Sequence, residues 1–231
     1  MKTGPNGLPL ALLLSTTLST VLDVVYKEFD ARLLSPRQKH RIDLVFITAL
    51  KEIESRIDGG AILRDGTFFT DASQGRTKAE EIFEGVLIRA KDQYEEKKLT
   101  HFGTFFGRMG YASTSPALAN HLLHAAESLS YRQFQFLAHI SNVKVFDGEP
   151  LRGRKHTLAE LQAFRDEEMI LIEKAEFGGV SFLSTLGSYQ SQLSEMGAEF
   201  VELFAIDQIP AHELLEIKRL IYRSAEDPPV S

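Results

Sequence analysis

The chain contains neither cysteine nor tryptophan in its 231 residues. Without cysteine it can form no disulfide, no thiolate metal site and no iron–sulfur cluster, and it has no cysteine nucleophile. Its aromatic content rests mainly on 16 phenylalanines. We therefore expect a core whose aromatic mass is phenylalanine, stabilised by packing rather than by covalent cross-links.

A strong excess of charge of one sign is also missing. The chain has 26 Lys and Arg against 32 Asp and Glu, which gives a formal net charge of −6. This balance produces no overall attraction to nucleic acid or to an anionic membrane. Apolar residues make up 43% and charged residues 25% of the chain, which is typical of a soluble globular protein long enough for one large domain or two small ones.

Sequence signatures of catalysis do not occur. The chain contains no G-x-x-x-x-G-K-[ST] or G-x-G-x-x-G phosphate loop, no H-E-x-x-H and no G-x-S-x-G. His121, His124 and Glu127 follow one another at intervals of three on one predicted helix, but a single helix supplies an incomplete metal site. We predict no catalytic residue, no metal and no cofactor, which favours a protein that is not an enzyme.

Residues 95–98, Glu-Glu-Lys-Lys, contain the acid-x-Lys spacing of nuclease cores. That spacing needs a strand end and further acids around a metal. Here it follows Arg89, Lys91 and Asp92 within a predicted helix, so we interpret it as a solvated surface of alternating charge.

The amino-terminal segment is apolar but contains many hydroxyl groups. Residues 3–22 carry no charge, and one helical stripe collects six apolar residues: Leu10, Leu14, Leu18, Val21, Val25 and Phe29. We interpret this segment as a helix packed on the protein body or on another copy. An interfacial membrane helix is the alternative, and the serines and threonines disfavour a membrane span.

Helix starts are marked by capping boxes, in which Ser or Thr is followed three residues later by Glu or Gln. They are Ser35 with Gln38, Thr77 with Glu80, Ser130 with Gln133, and Thr157 with Glu160. Apolar residues then recur at helical spacing; the helix after Thr77 is predicted to bury Ile82, Phe83, Val86, Leu87, Ala90 and Tyr94. The fold class predicted is mainly α.

We predict a helical bundle domain over residues 1–147, a linker over 148–156, an acidic C-terminal domain over 157–223 and a flexible tail over 224–231. In the C-terminal domain a helix precedes an extended segment at 180–183 and a helix after Ser194, an order that resembles a winged-helix domain. Five basic and twelve acidic residues give residues 157–223 a charge of −7, which disfavours binding to nucleic acid.

Glycines interrupt the predicted helix over 99–112 at Gly103, Gly107 and Gly110. Glycine inside a helix costs about 0.5–1 kcal/mol relative to alanine, so three of them need a reason. Close packing against another helix is the interpretation we favour, with a hinge or an interface as alternatives.

Two non-helical segments are candidate interaction sites. Residues 59–76 form a long loop that combines charge with aromatic side chains: Arg64, Asp65, Phe68 and Phe69. Such a mixture is favoured at interaction hot spots, but the two phenylalanines could equally anchor the loop in the core. The predicted linker carries four basic residues that could contact phosphate or an acidic protein, or remain solvated: Arg152, Arg154, Lys155 and His156.

The middle of the chain resembles a known family. Residues 94–98 lead into the aromatic, glycine-bearing helix, then come Ser115-Pro116, the helix containing Ala119-Asn120-His121-Leu122-Leu123, and the capped turn Leu129-Ser130-Tyr131-Arg132-Gln133. This order resembles bacterial helical proteins of the abortive-infection alpha type, which are associated with phage resistance. The resemblance covers residues 77–140 and implies a helical fold, with no catalytic residues to assign.

Together these observations predict a non-enzymatic bacterial helical protein that acts through self-association or a protein partner, in the cytoplasm and in phage defence. The first alternative is a peripheral membrane effector that inserts its N-terminal apolar helix. A winged-helix-like regulator that binds nucleic acid is the second alternative.

Overall fold

The computed structural model of the chain describes residues 10–64, 66–72, 75–143, 146–147, 163–164, 166–174 and 189–222. The chain divides into two compact units, an N-terminal unit (Met1–Ser128) and a C-terminal unit (Leu129–Ser231). This division falls about twenty residues before the predicted linker at 148–156, which lies outside the described residues, as does the predicted tail at 224–231.

The described part of the N-terminal unit is helical. Its helices are α1 (Leu10–Asp30), α2 (Pro36–Asp58), the short α3 (Thr67–Thr70), α4 (Lys78–Asp92), α5 (Lys97–Met109) and α6 (Pro116–Ser128). The prediction of a mainly α protein is confirmed. Helix α3 lies inside residues 59–76, where we expected no helix.

Local capping chemistry sets the helix starts. At α2, Ser35 Oγ accepts from Gln38 N at 3.3 Å while the Gln38 side chain accepts from Ser35 N at 3.0 Å. Thr77 and Glu80 form the same reciprocal pair at α4. Both boxes satisfy backbone N–H groups that a helix start otherwise leaves without an acceptor.

Helices α2 and α5 run parallel and in register along the centre of the N-terminal unit. A Cβ on Gly103 would meet Thr48 and one on Gly107 would meet Glu52. One turn further, the Tyr111 hydroxyl donates to the Ile53 carbonyl oxygen at 3.4 Å. Residue numbers therefore rise together along the two helices.

Phenylalanine fills the core, as the composition predicts. In the N-terminal unit the fully buried rings are Phe29, Phe83, Phe102, Phe105 and Phe106. Val21, Val25 and Phe29 are buried as the stripe on α1 predicts. The side chains of Leu10, Leu14 and Leu18 lie outside those that the structure describes.

The described residues of the C-terminal unit combine helices with a small sheet. The elements are α7 (Tyr131–Val143), β1 (Phe146–Asp147), β2 (Ile170–Lys174), β3 (Tyr189–Leu193), α8 (Glu195–Leu203), a 3-10 turn (Ile206–Gln208) and α9 (Leu215–Tyr222). The strands pair antiparallel in the order β1-β3-β2, with Ile170 opposite Leu193.

The described residues before α8 differ from the expected order. Residues 170–174 form a strand, whereas we expected a helix before the extended segment at 180–183; Glu168, with φ 57°, turns the chain immediately before β2. The predicted strand at 180–183 lies outside the described residues. The winged-helix-like arrangement therefore stays a prediction.

The contacts of α7 explain why the boundary between the two units falls before this helix. The Phe134 ring contacts Phe200 edge to face, with centroids 5.6 Å apart, and Phe204 at 6.3 Å. The Gln135 side chain donates to the Glu213 carbonyl oxygen at 3.0 Å. Tertiary contacts thus join α7 to elements that follow it in the chain.

Candidate functional site

Gly103 and Gly107 form the closest approach between α2 and α5. A Cβ on Gly103 would lie 2.6 Å from both Thr48 Cβ and the Val45 carbonyl oxygen, and one on Gly107 would lie 2.7 Å from Glu52 Cβ. Real Cβ atoms do not make contacts this short, so any larger residue would push the helices apart. This is the close packing that the glycine spacing predicts.

Gly110 has a different role. It ends α5 as the capping residue, and its carbonyl oxygen accepts from the Arg64 backbone N–H at 3.0 Å. The structure therefore brings together the glycine-bearing helix and the long loop, because Gly110 of the first accepts a hydrogen bond from Arg64 of the second.

The candidate interaction residues of the long loop that the structure describes, Arg64, Phe68 and Phe69, contact the protein interior or one another. The Arg64 guanidinium lies 4.0 Å above the Phe68 ring centre and donates to the Thr114 carbonyl oxygen at 3.0 Å. Phe68 and Phe69 are both buried and pack edge to face. Their burial matches the alternative in which the phenylalanines anchor the loop, while Asp65 lies outside the described residues.

Three buried cations stabilise helix contacts, and sequence analysis missed them. Arg108 on α5 donates through Nε to Glu52 Oε1 on α2 at 3.0 Å, and Arg56 donates to the same oxygen at 2.9 Å. Arg108 is buried and Glu52 is largely so. Charge-assisted hydrogen bonds of this kind are stronger than neutral ones and fix the register of the two helices.

The second buried cation is Lys98, which corrects the interpretation of residues 95–98 as a solvated surface. Its side chain is 1% exposed, and Nζ donates to the Glu127 carbonyl oxygen at 3.2 Å. Burial lowers the pKa of Lys98 to about 8, partly opposed by the carboxylates of Glu95 and Glu127. The helix ends at Asp92 and a new one begins at Lys97, so the four residues do not share one helix face.

The third buried cation, Arg41, belongs to a set of contacts that tie two connections together. Arg41 donates to the Lys91 carbonyl oxygen at 3.0 Å, and Gln38 donates to Asp92 at 3.1 Å. The Gln38 hydrogen bond is the main cause that holds the pKa of Asp92 below its usual value. Arg37 pairs with Glu96 at 3.2 Å. The α1–α2 and α4–α5 connections are therefore neighbours at one end of the unit.

Both connections expose a large apolar side chain. Leu33, between α1 and α2, is fully exposed, and Tyr94, between α4 and α5, is 77% exposed. The prediction that Tyr94 is buried on α4 is wrong, because Gln93 adopts an extended conformation that ends the helix before it. Ile62, in the long loop, is a further highly exposed large apolar residue among those that the structure describes in this unit.

The histidine candidates are not brought together with further ligands. His121 and His124 are exposed on α6. The Glu127 carboxylate instead lies 3.3 Å from Arg89 Nε. Among the described residues, no group of three His, Asp or Glu side chains is arranged to hold a metal ion. The basic residues Arg152, Arg154, Lys155 and His156 lie outside the described residues.

In the C-terminal unit, polar contacts stabilise helices α7 and α8. The Tyr131 hydroxyl donates to Glu213 Oε2 at 3.0 Å, and burial together with that carboxylate raises the pKa of Tyr131. Burial lowers the pKa of His139 on α7, and nearby Lys218 lowers it further. Ser194 caps α8 by accepting from Gly197 N–H at 2.9 Å.

Comparison with known proteins identifies no relative: no family model matches the chain, and neither a curated protein nor a solved structure is significantly similar to it. Of the helices that the structure describes, none has the length and apolar character needed to cross a membrane.

Proposed function

We propose that the chain acts by binding another protein molecule, a second copy of itself or a protein partner, in the bacterial cytoplasm. The observation that carries this proposal is the pair of exposed apolar side chains, Leu33 and Tyr94, on two neighbouring connections. A single exposed leucine is ordinary on a soluble protein. Leu33 and Tyr94 lie on neighbouring connections joined by hydrogen bonds, and tyrosine is among the residues enriched at interaction hot spots.

The distribution of the charged groups supports the same proposal. Arg41, Lys98 and Arg108 each contact a carbonyl or carboxylate oxygen of another segment of the N-terminal unit. The contact of Arg108 stabilises the packing of α2 on α5, while those of Arg41 and Lys98 lie next to the connections that carry Leu33 and Tyr94. The unit thus combines a rigid interior with apolar side chains presented to solvent.

The self-association test is sedimentation of the purified full chain over a wide concentration range, together with capture of partners from bacterial lysate. We expect a mass above that of the monomer or a specific captured protein. A mass equal to that of the monomer at every concentration, with no captured protein, would contradict the proposal.

For the biological setting we propose phage defence, which rests on the resemblance of residues 77–140 to abortive-infection alpha-type proteins. The test compares the plating efficiency of a phage panel on bacteria that express the chain and on bacteria that do not. We expect reduced plating for at least one phage, and relief when Leu33 and Tyr94 are both changed to serine. Equal plating for the whole panel counts against this setting.

The membrane alternative is supported by one feature, the uncharged segment 3–22 that runs into α1. An apolar helix face of this kind can insert into the surface of a bilayer. Flotation with vesicles tests it, comparing the full chain with a Leu10→Ser, Leu14→Ser variant. Equal flotation of the two proteins removes this alternative.

The nucleic-acid alternative depends on the C-terminal unit, where 10 Lys and Arg stand against 16 Asp and Glu. Binding that weakens steeply with salt is the signature of phosphate contacts. Titration of the full chain with duplex DNA at low and high salt tests this alternative, and it falls if binding is absent at both.

A further inference from the structure

Three polar side chains lie along one side of α7. Tyr131, Gln135 and His139 are four residues apart, a spacing that places them on the same side of a helix, and we name them the polar stripe. The Tyr131 hydroxyl donates to the Glu213 carboxylate at 3.0 Å, and the Gln135 side chain donates to the Glu213 carbonyl oxygen at 3.0 Å. His139 is within electrostatic reach of Lys218 on α9. The polar stripe therefore follows the chain from Glu213 to Lys218.

Helix α9 depends on these contacts for its position. It packs on α7, and of its first five side chains, Leu215 to Arg219, Ile217 alone is buried. Leu214, immediately before the helix, is buried as well. With only eight residues, α9 is too short to be stable by itself in water. Its place on α7 therefore rests on these two apolar side chains and on the polar stripe.

The charged groups around α7 determine how His139 responds to acid. The elements that pack most closely on α7 are the 3-10 turn, β3, α8 and α9. Lys218 acts directly on His139 and disfavours the imidazolium, while β3 carries no charged residue. The other charged residues on these elements are Glu195, Glu199, Glu202, Asp207, Glu216 and Arg219.

Protonation of His139 opposes the packing of α9 on α7. The side chain is 2% exposed, so an imidazolium there loses its hydration and also experiences the positive charge of Lys218. Burial first and Lys218 second therefore hold the pKa of His139 below 6.5. If α9 moves away, the imidazolium regains water. The open form consequently binds the proton more tightly than the closed form, and acid favours it.

The rest of the C-terminal unit is held together by contacts that do not titrate. The Phe134 ring on α7 packs on Phe200 and Phe204, with centroids 5.6 Å and 6.3 Å away. These rings join α7 to α8 and the residue that follows it, and acid does not change their charge. The acid-sensitive contact is thus confined to the region of α9.

We propose that α9 is an acid-sensitive cover of α7, which protonation of His139 releases while α7 and α8 stay folded together. Release exposes Leu214 and Ile217 and opens the polar stripe to solvent. This inference concerns a movement within the C-terminal unit. It goes beyond the proposed function, whose evidence lies on the connections of the N-terminal unit.

Thiol labelling of the full chain tests the release, because the chain has no cysteine of its own. Ile217→Cys places a thiol at a buried position of α9, and Leu215→Cys places one at an exposed position of the same helix. A dithiodipyridine reagent suits the test because it also reacts in mild acid. Dividing the first labelling rate by the second at each pH removes the pH dependence of the thiol itself. We expect this ratio to rise roughly three- to tenfold from pH 7.5 to 5.5.

The matched control is Val201→Cys, at a buried position of α8. Its labelling, divided by that of Leu215→Cys, should stay low over the whole range. Adding His139→Gln to Ile217→Cys should abolish the rise. Adding Lys218→Glu should reduce it, because a carboxylate near the imidazolium favours the proton in the closed form. Lys218 is exposed, so this second change tests the sensor without disturbing the core.

Three results would overturn the inference. If labelling of Val201→Cys rises in parallel with that of Ile217→Cys, acid unfolds the whole unit and α9 is no separate cover. A labelling ratio that stays constant between pH 7.5 and 5.5 means that acid does not release α9. A rise that His139→Gln or Lys218→Glu leaves unchanged removes His139 as the sensor. Each of these results leaves the proposed function standing, because association through Leu33 and Tyr94 does not require α9 to move.

Discussion

The two units place their charged groups differently. The N-terminal unit has 16 Lys and Arg against 16 Asp and Glu, and buries Arg41, Lys98 and Arg108 inside helix contacts. The C-terminal unit has 10 against 16, and its described core consists of phenylalanine rings and aliphatic side chains with one buried histidine, His139. Charge therefore helps to fix the helix geometry of the first unit, whereas the charged side chains that the structure describes in the second are half-buried or exposed.

The largest effect that distinguishes the units is expected at Gly197 in the C-terminal unit. A Cβ at this position would lie 1.9 Å from the Met169 carbonyl oxygen, a backbone atom that cannot rotate away. We expect Gly197→Ala to destabilise the C-terminal unit by about 3 kcal/mol or more. Hydrogen exchange, measured separately for amides of α8 and α5, shows whether the loss is confined to that unit.

The control for Gly197 is Gly66→Ala. Gly66 has φ −58° and no atom within 4 Å of an added Cβ, so its replacement should leave stability unchanged or slightly raised. Equal behaviour of the two variants would contradict the close approach at Gly197.

Gly103 gives the corresponding test in the N-terminal unit. A methyl group there meets Thr48, whose side chain can shift, as well as the Val45 carbonyl oxygen. We expect Gly103→Ala to cost about 1–3 kcal/mol, measured by urea unfolding, with faster exchange in α2 and α5. Unchanged stability would show that the two helices separate easily.

Removing the shared carboxylate of the helix pair should have the next largest effect. In Glu52→Gln, Arg108 and Arg56 lose their charged acceptor, and we expect a loss of about 1–2 kcal/mol. Glu54→Gln, an exposed change on the same helix, is the control. A loss equal to that of the control would mean that the ion pairs contribute nothing to stability.

The buried histidine predicts a pH dependence for the C-terminal unit. Because burial and Lys218 hold the pKa of His139 below its ordinary value of 6.5, the unfolded chain binds the proton more tightly than the folded unit. Stability should therefore be full above about pH 6.5 and fall as the pH drops below it. Urea unfolding from pH 7.5 to 5.5 tests this, and His139→Gln should flatten the dependence. Parallel curves for the two proteins would contradict it.

Lys98 predicts a change of the same sign in the N-terminal unit, at higher pH, and its replacement is expected to have the smallest effect. Its pKa of about 8 lies below the ordinary 10.5, so folding disfavours the charged form and stability should rise from pH 8 toward 10.5. Lys98→Met should lie within about 1 kcal/mol of the parent at pH 7 and lack this rise. Thermal melting from pH 8 to 10.5 tests this prediction. If the stability of Lys98→Met rises as much as that of the parent, groups other than Lys98 cause the rise.

Local signals in the sequence predicted the helices well. The capping residues Ser35, Thr77 and Ser130 act over three positions, so the residues themselves contain the information. The approach of Gly103 to α2 could also be anticipated, because glycine in a helix interior needs a reason.

What the sequence could not predict depends on contacts between distant residues or on the exact end of a helix. Arg108 and Glu52 are 56 positions apart, and no pattern in either segment points to the other. We expected the helix that begins at Lys78 to continue through residues 95–98, but it ends at Asp92 and a new helix begins at Lys97. Tyr94 is therefore exposed and Lys98 buried.

The most direct test of association through Leu33 and Tyr94 is the solution mass of the full chain and of a variant with Leu33→Ser and Tyr94→Ser, compared by sedimentation equilibrium. Ile62→Ser, which changes an equally exposed apolar residue in the long loop, is the control. We expect the wild type and the control to self-associate, and the double variant to be monomeric and to melt at the wild-type temperature. Equal masses for the wild type and the double variant would contradict it.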